Sequence, residues 1–197
     1  MLGENMLLVA DIGNTNITLG LYNEDQLLNT YRMTTWFKRT SDEYGFMINH
    51  FLNVSHVSAN DIKDVIISSV VPKIMHSFTN SIRRYLHKEP IIVGPGIKTG
   101  ISIKIDNPRE VGADRIVDAV GAHYVYGGDI LVIDFGTATT YEYVNAKGEY
   151  YGGCITPGLE ISAQALSSNT AKLPEIEIKP TPKILNSNTI TCMQAGI

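Results

Sequence analysis

The stretch "VADIGNTNITLGLYN", residues 9–23, constrains the fold more than any other part of this chain. A strand-like apolar run ends in Asp11, turns through Gly13, Asn14 and Thr15, and becomes strand-like again. A buried hairpin has no need of a carboxylate, so the charge at the strand end requires a reason. "LVIDFGTATTYEYV", residues 131–144, repeats the pattern with Asp134, Gly136 and the hydroxyls of Thr137, Thr139 and Thr140. Two such hairpins point to a duplicated fold with something held between its halves.

The residue types say what that something is. A strand-end carboxylate can hold a hydrated Mg²⁺. Backbone N–H groups of the turn, with the side chains of Asn14, Thr15 and Asn16, can hold phosphate oxygens. Gly13 permits a close backbone approach. The competing reading is a tight hairpin in which Asp11 accepts bonds from its own turn. The second copy moves the balance toward a nucleotide held by paired hairpins. The chain has no Walker sequence, and the first turn leads into a strand rather than a helix, which is not the dinucleotide-binding pattern.

A third feature is "PREVGADRIVDAVGA", residues 108–122. Gly112 and Ala113 put Asp114 and Arg115 near a helix start with little bulk around them. Asp114 is a candidate base for a hydroxyl nucleophile, and Arg115 a candidate clamp for carboxylate or phosphate. The plain alternative is a solvated helix face with Asp118 one turn on. Arg109 is either ligand-facing or a surface partner of Glu110. Phosphoryl transfer needs these parts: metal-holding carboxylates, phosphate donors and an aligned acceptor, without a covalent protein nucleophile.

The 197 residues allow one large domain or two small ones. Twenty acids against 16 bases give a net charge of -4, which makes no electrostatic case for nucleic acid or an anionic membrane. Five scattered histidines lack a metal-ligand rhythm, and Cys154 and Cys192 form neither a C-x-x-C site nor a disulfide scaffold. Both thiols are expected reduced. With no signal-like leader and no apolar run near membrane-spanning length, the expected location is the cytoplasm.

Along the chain, strands are expected at Met6–Asp11, Ile17–Tyr22 and Gln26–Arg32, with a turn at Asn23–Asp25. Thr40 and Glu43 have capping-box spacing, ahead of a helical face of Tyr44, Met47, Ile48, Phe51 and Leu52. A buried strand over Asp64–Val71 precedes Pro72, which suits the first turn of a helix striped by Ile74, Met75, Phe78, Ile82, Tyr85 and Leu86. Ile91–Val93 forms a short strand before the loop "GPGIKTG". The expectation then runs to a helix over 111–126, strands at Ile130–Asp134, Thr139–Val144 and Tyr150–Ile155, and a helix over Pro157–Leu166. "KLPEIEIKPTPK", residues 172–183, looks extended, and "NTITCMQAGI" opens another helix.

With these motifs in place the sequence resembles the type III pantothenate kinase family, of the superfamily that holds acetate and sugar kinases and actin. "DIGNTNITLGLY", "PGIKTG", "DNPREVGADRIVDAV", "DFGTATT" and "GGCITPGL" carry the resemblance, in family order and over nearly the whole chain. It implies an α/β, duplicated ribonuclease H-like (actin-like ATPase) fold, with two mixed-sheet halves, flanking helices and an interdomain nucleotide cleft. The halves are expected at residues 1–107 and 108–197. Family members continue beyond "QAGI", so the second half is expected to be incomplete, with exposed apolar surface and weak ATP binding.

The resemblance further implies ATP-dependent phosphorylation of pantothenate to 4'-phosphopantothenate, the first step of coenzyme A biosynthesis. Asp11, Ile12, Gly13, Asn14, Thr15, Asn16, Ile17 and Thr18 would form the ATP and phosphate segment, with Asp11 at Mg²⁺-ATP and Thr137 touching ATP. Asp114 would take the proton of the pantothenate hydroxyl. Gly112, Ala113, Asp114, Arg115 and Thr189 would bind pantothenate. Asp134 would hold a monovalent cation, K⁺ or NH₄⁺, whereas the symmetry of the two turns alone would make it a second Mg²⁺ ligand. A homodimer is implied as well. Two other readings stay open: a non-catalytic nucleotide-binding or regulatory protein on the same scaffold, and another kinase or phosphohydrolase of the superfamily.

Overall fold

The computed structural model describes residues 6–94 and 96–197. Pro95, which falls in the loop "GPGIKTG", lies outside the described residues. The chain divides into two compact units, one of residues up to Thr99 together with Asn107–Val120, the other of Gly100–Asp106 with Gly121–Ile197. The helix that the sequence reading sets at the head of the second half therefore has its first residues in the first unit.

The first unit opens with the strands β1 (Met6–Ile12), β2 (Asn16–Asn23) and β3 (Gln26–Thr34), an antiparallel meander. After helix α1 (Ser41–Val54), strand β4 (Ile62–Ser69) pairs parallel with β1. Helix α2 (Pro72–Leu86) then returns the chain to β5 (Ile91–Ile92), parallel to β4. The sheet order is β3-β2-β1-β4-β5, which makes β1 the middle strand. Alternation explains the layering, because Met6, Leu8, Ala10 and Ile12 point to one face and are almost wholly buried. Against that face lie Tyr44, Ile48, Phe51 and Leu52 of α1, and Ile74, Phe78, Ile82 and Leu86 of α2. Tyr44 and Phe78 meet edge to face at 5.2 Å between ring centroids.

The second unit contains β6 (Ser102–Ile103), the last residues of helix α3 (Ala113–Tyr126), and the meander β7 (Ile130–Phe135), β8 (Ala138–Val144) and β9 (Glu149–Pro157). Helices α4 (Leu159–Ser168) and α5 (Thr189–Gly196) follow, separated by an extended segment. Its sheet runs β6-β9-β8-β7. Thus β9-β8-β7 repeats the order of β3-β2-β1, the structural form of the duplication seen in the two turns. Among the described residues β7 pairs on one side only, and Leu131 and Phe135 on it are 62% and 70% exposed. No helix among the described residues is long and apolar enough to cross a membrane.

Several boundaries differ from the sequence reading for local reasons. Pro157 ends β9 opposite Ala138 rather than starting a helix, because the last ladder position has no need of its missing N–H. Gly158 is the N-cap, and α4 starts at Leu159. Helix α3 begins at Ala113, after Val111 and Gly112. Strand β4 starts at Ile62 and stops at Ser69, two residues before Val71, the non-helical residue that precedes Pro72 and caps the next helix. Strand β6, two residues long, escapes any periodicity test.

The capping box at α1 is present in full: Thr40 Oγ1 accepts from the Glu43 N–H, and Glu43 Oε2 accepts from the Thr40 N–H at 2.7 Å. Those bonds from Thr40 hold the Glu43 carboxyl below its ordinary value. Its contribution is therefore present above the unfolded carboxylate range and is lost as pH falls through the lowered folded value. Thr40→Ala is expected to cost about 1 kcal/mol in urea unfolding at neutral pH. The gap between variant and parent should narrow at about pH 3, below the ordinary carboxylate value.

Candidate active site

The sheet of the first unit sets one end aside for ligand. In open α/β sheets, parallel strands present their carboxyl ends to a crevice. Here β1 and β4 are parallel neighbours, with Asp11 beside Ser68 and Ile12 beside Ser69. Asp11 lies opposite Thr18 on β2 and is exposed, on the face away from Ala10 and Ile12. Ser68 shares the face of Asp11 by parallel register; its hydroxyl is buried and has no hydrogen-bond partner among the described residues.

Three residues, Gly13, Asn14 and Thr15, join β1 to β2. The Gly13 N–H closes the turn onto the Asn16 carbonyl at 3.0 Å. Asn14, Thr15 and Asn16 are exposed. Ile12 and Ile17, by contrast, are fully buried, so their side chains anchor the hairpin in the core and only their backbone can face a ligand. Thr18 is half-buried.

The "GADR" segment approaches the same end of the sheet. Val70 continues the ladder of β4, its N–H donating to the Ile12 carbonyl at 3.1 Å. A Cβ at Gly112 would lie 3.5 Å from Val70 Cγ1 and would collide with Asp114 Oδ1. A side chain at Gly112 would therefore push the Asp114 carboxylate out of the place it takes over this segment, whereas the approach to β4 is ordinary packing. Asp114 stands in the first turn of α3 and accepts from the Arg115 N–H through Oδ1 at 2.8 Å. Asp114, Arg115 and Asp118 are half-buried, which is not the fully solvated helix face of the plain alternative. Arg109 is exposed in a short 3-10 turn, and its neighbour Glu110 accepts instead from Asn107 Nδ2 at 2.6 Å.

In the second unit Asp134 lies opposite Thr140, as Asp11 lies opposite Thr18. The Gly136 N–H closes this turn onto the Ala138 carbonyl at 3.0 Å, and Thr137 is exposed. The N-terminus of α4 abuts the turn, since the Gly158 N–H donates to the Thr137 carbonyl at 3.1 Å. A Cβ at Gly158 would run into the carbonyl oxygens of Gly136 and Thr137. Thr189 is elsewhere in this unit, exposed in the first turn of α5. Cys154 and Cys192 are free, exposed thiols.

The residues present suit a magnesium ion that arrives with its nucleotide. Among the described residues no three His, Cys, Asp or Glu side chains gather as a metal cage. Mg²⁺ bound with phosphates asks for only one or two carboxylates, the rest of its shell being water and phosphate oxygen. Asp11 answers that description.

Two meander sheets, each turning through an Asp-x-Gly hairpin, define the duplicated actin-like nucleotide-binding scaffold. The ethanolamine utilization protein EutJ from Carboxydothermus hydrogenoformans has a similar fold, with a TM-score of 0.50 at 12% identity over 83% of this chain and 56% of that one. In sequence, residues 7–197 match the family model of type III pantothenate kinase. A type III pantothenate kinase of Bifidobacterium animalis subsp. lactis is 54% identical over 192 residues, covering 98% of this chain and 76% of the relative. One of Agathobacter rectalis is also 54% identical, with 98% and 74% covered. The chain belongs to the type III pantothenate kinase family.

Sequence reasoning passed over Thr35, which holds the first turn from outside. No local motif marks it, because its partners lie some twenty positions earlier in the chain. The clash at Gly158 gives a direct test of the second turn. Gly158→Ala should lower stability by about 1–3 kcal/mol, the usual cost of overpacking, as read from the urea midpoint.

Proposed function

We propose that this chain transfers the γ-phosphoryl group of ATP to the primary hydroxyl of pantothenate, the first step of coenzyme A biosynthesis. The observation that carries the reading is the meeting of two segments at one sheet end. The Asp11 turn and the Gly112–Asp114 segment both stand at the carboxyl ends of β1 and β4, within one unit.

In this reading the pantothenate hydroxyl oxygen attacks the γ-phosphorus, the bond from that phosphorus to the β–γ bridging oxygen breaks, and ADP leaves. Asp114 takes the hydroxyl proton on its carboxylate. Gly112, Ala113 and Arg115 hold pantothenate beside it, and Arg115 offers its guanidinium to an anionic group. Asn14, Thr15 and Asn16 present donors to the phosphates, Gly13 lets the backbone come close to them, and Asp11 holds the hydrated cation that travels with them. When bound, Mg²⁺ offsets phosphate charge as the bond breaks.

The second hairpin supplies Thr137 to ATP and Asp134 to a monovalent cation, K⁺ or NH₄⁺. Asp134 stands opposite a threonine hydroxyl, and such neutral oxygen donors suit a singly charged ion. Thr189 contributes a hydroxyl to pantothenate. The enzyme works in the cytoplasm as a homodimer, as its family resemblance implies.

The test is ADP release by the 197-residue chain with and without pantothenate, in parallel K⁺ and Na⁺ buffers. Turnover should depend on pantothenate, and Asp114→Asn should lower it by about 100-fold or more, the range for removing a general base. Turnover should be faster in K⁺, and Asp134→Asn should erase that preference. Nucleotide binding without turnover would favour the non-catalytic alternative.

A further inference from the structure

The phosphate turn spends one N–H of its own on its shape, from Gly13 to the Asn16 carbonyl. N–H groups aimed at a ligand cannot also be spent on holding the turn in shape. A preorganised donor array must therefore be held through its carbonyls, or through a neighbouring element.

Thr35 does this from the end of the third strand. It follows Thr34, which closes the β2–β3 ladder opposite Asn16. Its hydroxyl donates to the Gly13 carbonyl at 2.7 Å, and its N–H donates to the Thr15 carbonyl at 2.9 Å. Both bonds fall on acceptors, so they take none of the turn's N–H donors. They bracket Asn14, gripping the residue before it and the residue after. Thr35 is 7% exposed, so water does not compete freely for either bond.

The grip is itself anchored. Residues 35–40 form a strap between β3 and α1, and the Trp36 carbonyl accepts from the Tyr44 hydroxyl at 3.3 Å. The Arg39 guanidinium donates back to the Thr34 carbonyl at 2.7 Å and lies 5.9 Å from the centroid of the Tyr44 ring. Tyr44 is fully buried against Phe78. The turn is thereby tied, through one threonine, to the packed face of α1 and α2.

We infer that Thr35 is a positioning residue for phosphoryl transfer: its two bonds to Gly13 and Thr15 fix the phosphate turn so that its N–H donors converge on the nucleotide. The inference rests on the reading of the turn as the phosphate site. It predicts an effect confined to nucleotide, since both of these Thr35 bonds fall on the phosphate turn.

The experiment compares the 197-residue parent with Thr35→Val, which keeps the shape and removes the hydroxyl, and Thr35→Ser, which restores it. Steady-state kinetics and isothermal titration with MgADP are run on each after circular dichroism has shown it folded. The expected result for Thr35→Val is a KM for ATP and a Kd for MgADP raised about tenfold, the usual cost of one well-placed hydrogen bond. The KM for pantothenate should stay within twofold, and Thr35→Ser should recover parental values. A folded Thr35→Val with unchanged nucleotide constants would overturn the inference, as would an equal rise in both KM values. Should the parent bind MgADP but show no pantothenate-dependent turnover, the kinase reading fails. The titrations would still decide for or against Thr35.

Discussion

The parallel pairing of β1 with β4 is the constraint on which the rest of this structure depends. Register pairs from Leu7 with Asp64 through Ile12 with Ser69, beyond a shift after Met6 and Ile62, join the strand of Asp11 to the strand that leads to Val70. Parallel strands need a crossover, and α1 provides it while burying Tyr44, Ile48, Phe51 and Leu52. The same pairing aligns two carboxyl ends. One carries the Asp11 turn, and against the other passes Gly112 with Asp114 folded over it. A shift of one residue between these strands would turn Asp11 toward Ala10's neighbours in the apolar core, which the burial of a carboxylate forbids.

The first turn runs from strand to strand, with no helix starting from it. The first hairpin leads into β2, so its donors come from a turn of three residues between two buried isoleucines. Within it the Gly13 N–H closes onto the Asn16 carbonyl. Its shape is held from outside as well, by Thr35 and the strap that Tyr44 holds. In the second unit the partner of the turn is different, since α4 presents Gly158 to the Thr137 carbonyl. Two copies of one hairpin are thus supported by unlike neighbours, which accords with unlike roles for Asp11 and Asp134.

The sequence revealed what is local. Apolar runs broken by an Asp-x-Gly turn located β1, β2, β7 and β8, because each hairpin repeats that pattern within some fifteen residues. Thr40 and Glu43 announced α1 because a capping box is written in four consecutive residues. The strand-end position of Asp11 was legible for the same reason. Other features need partners distant in the chain. Thr35 sits in "TTWFKRT", a loop without periodicity, and its importance appears only when β3 is laid beside β2. Periodicity alone starts α3 two residues early, at Val111, because it cannot see that Gly112 lies beside Val70 of a distant strand end. Pro157 was assigned to a helix because proline favours a first helical turn, whereas the end of a ladder tolerates it equally well.

The central claim is that nucleotide and pantothenate meet at the carboxyl ends of β1 and β4. Amide hydrogen exchange read by mass spectrometry, on the 197-residue chain, tests it most directly. MgATP alone should slow exchange in the peptide spanning Gly13–Asn16, and pantothenate added to a MgADP complex should slow exchange in Val111–Arg115. Protection by both ligands at these two segments would support the account. Absence of protection at either segment, in a sample that demonstrably binds both ligands, would contradict it.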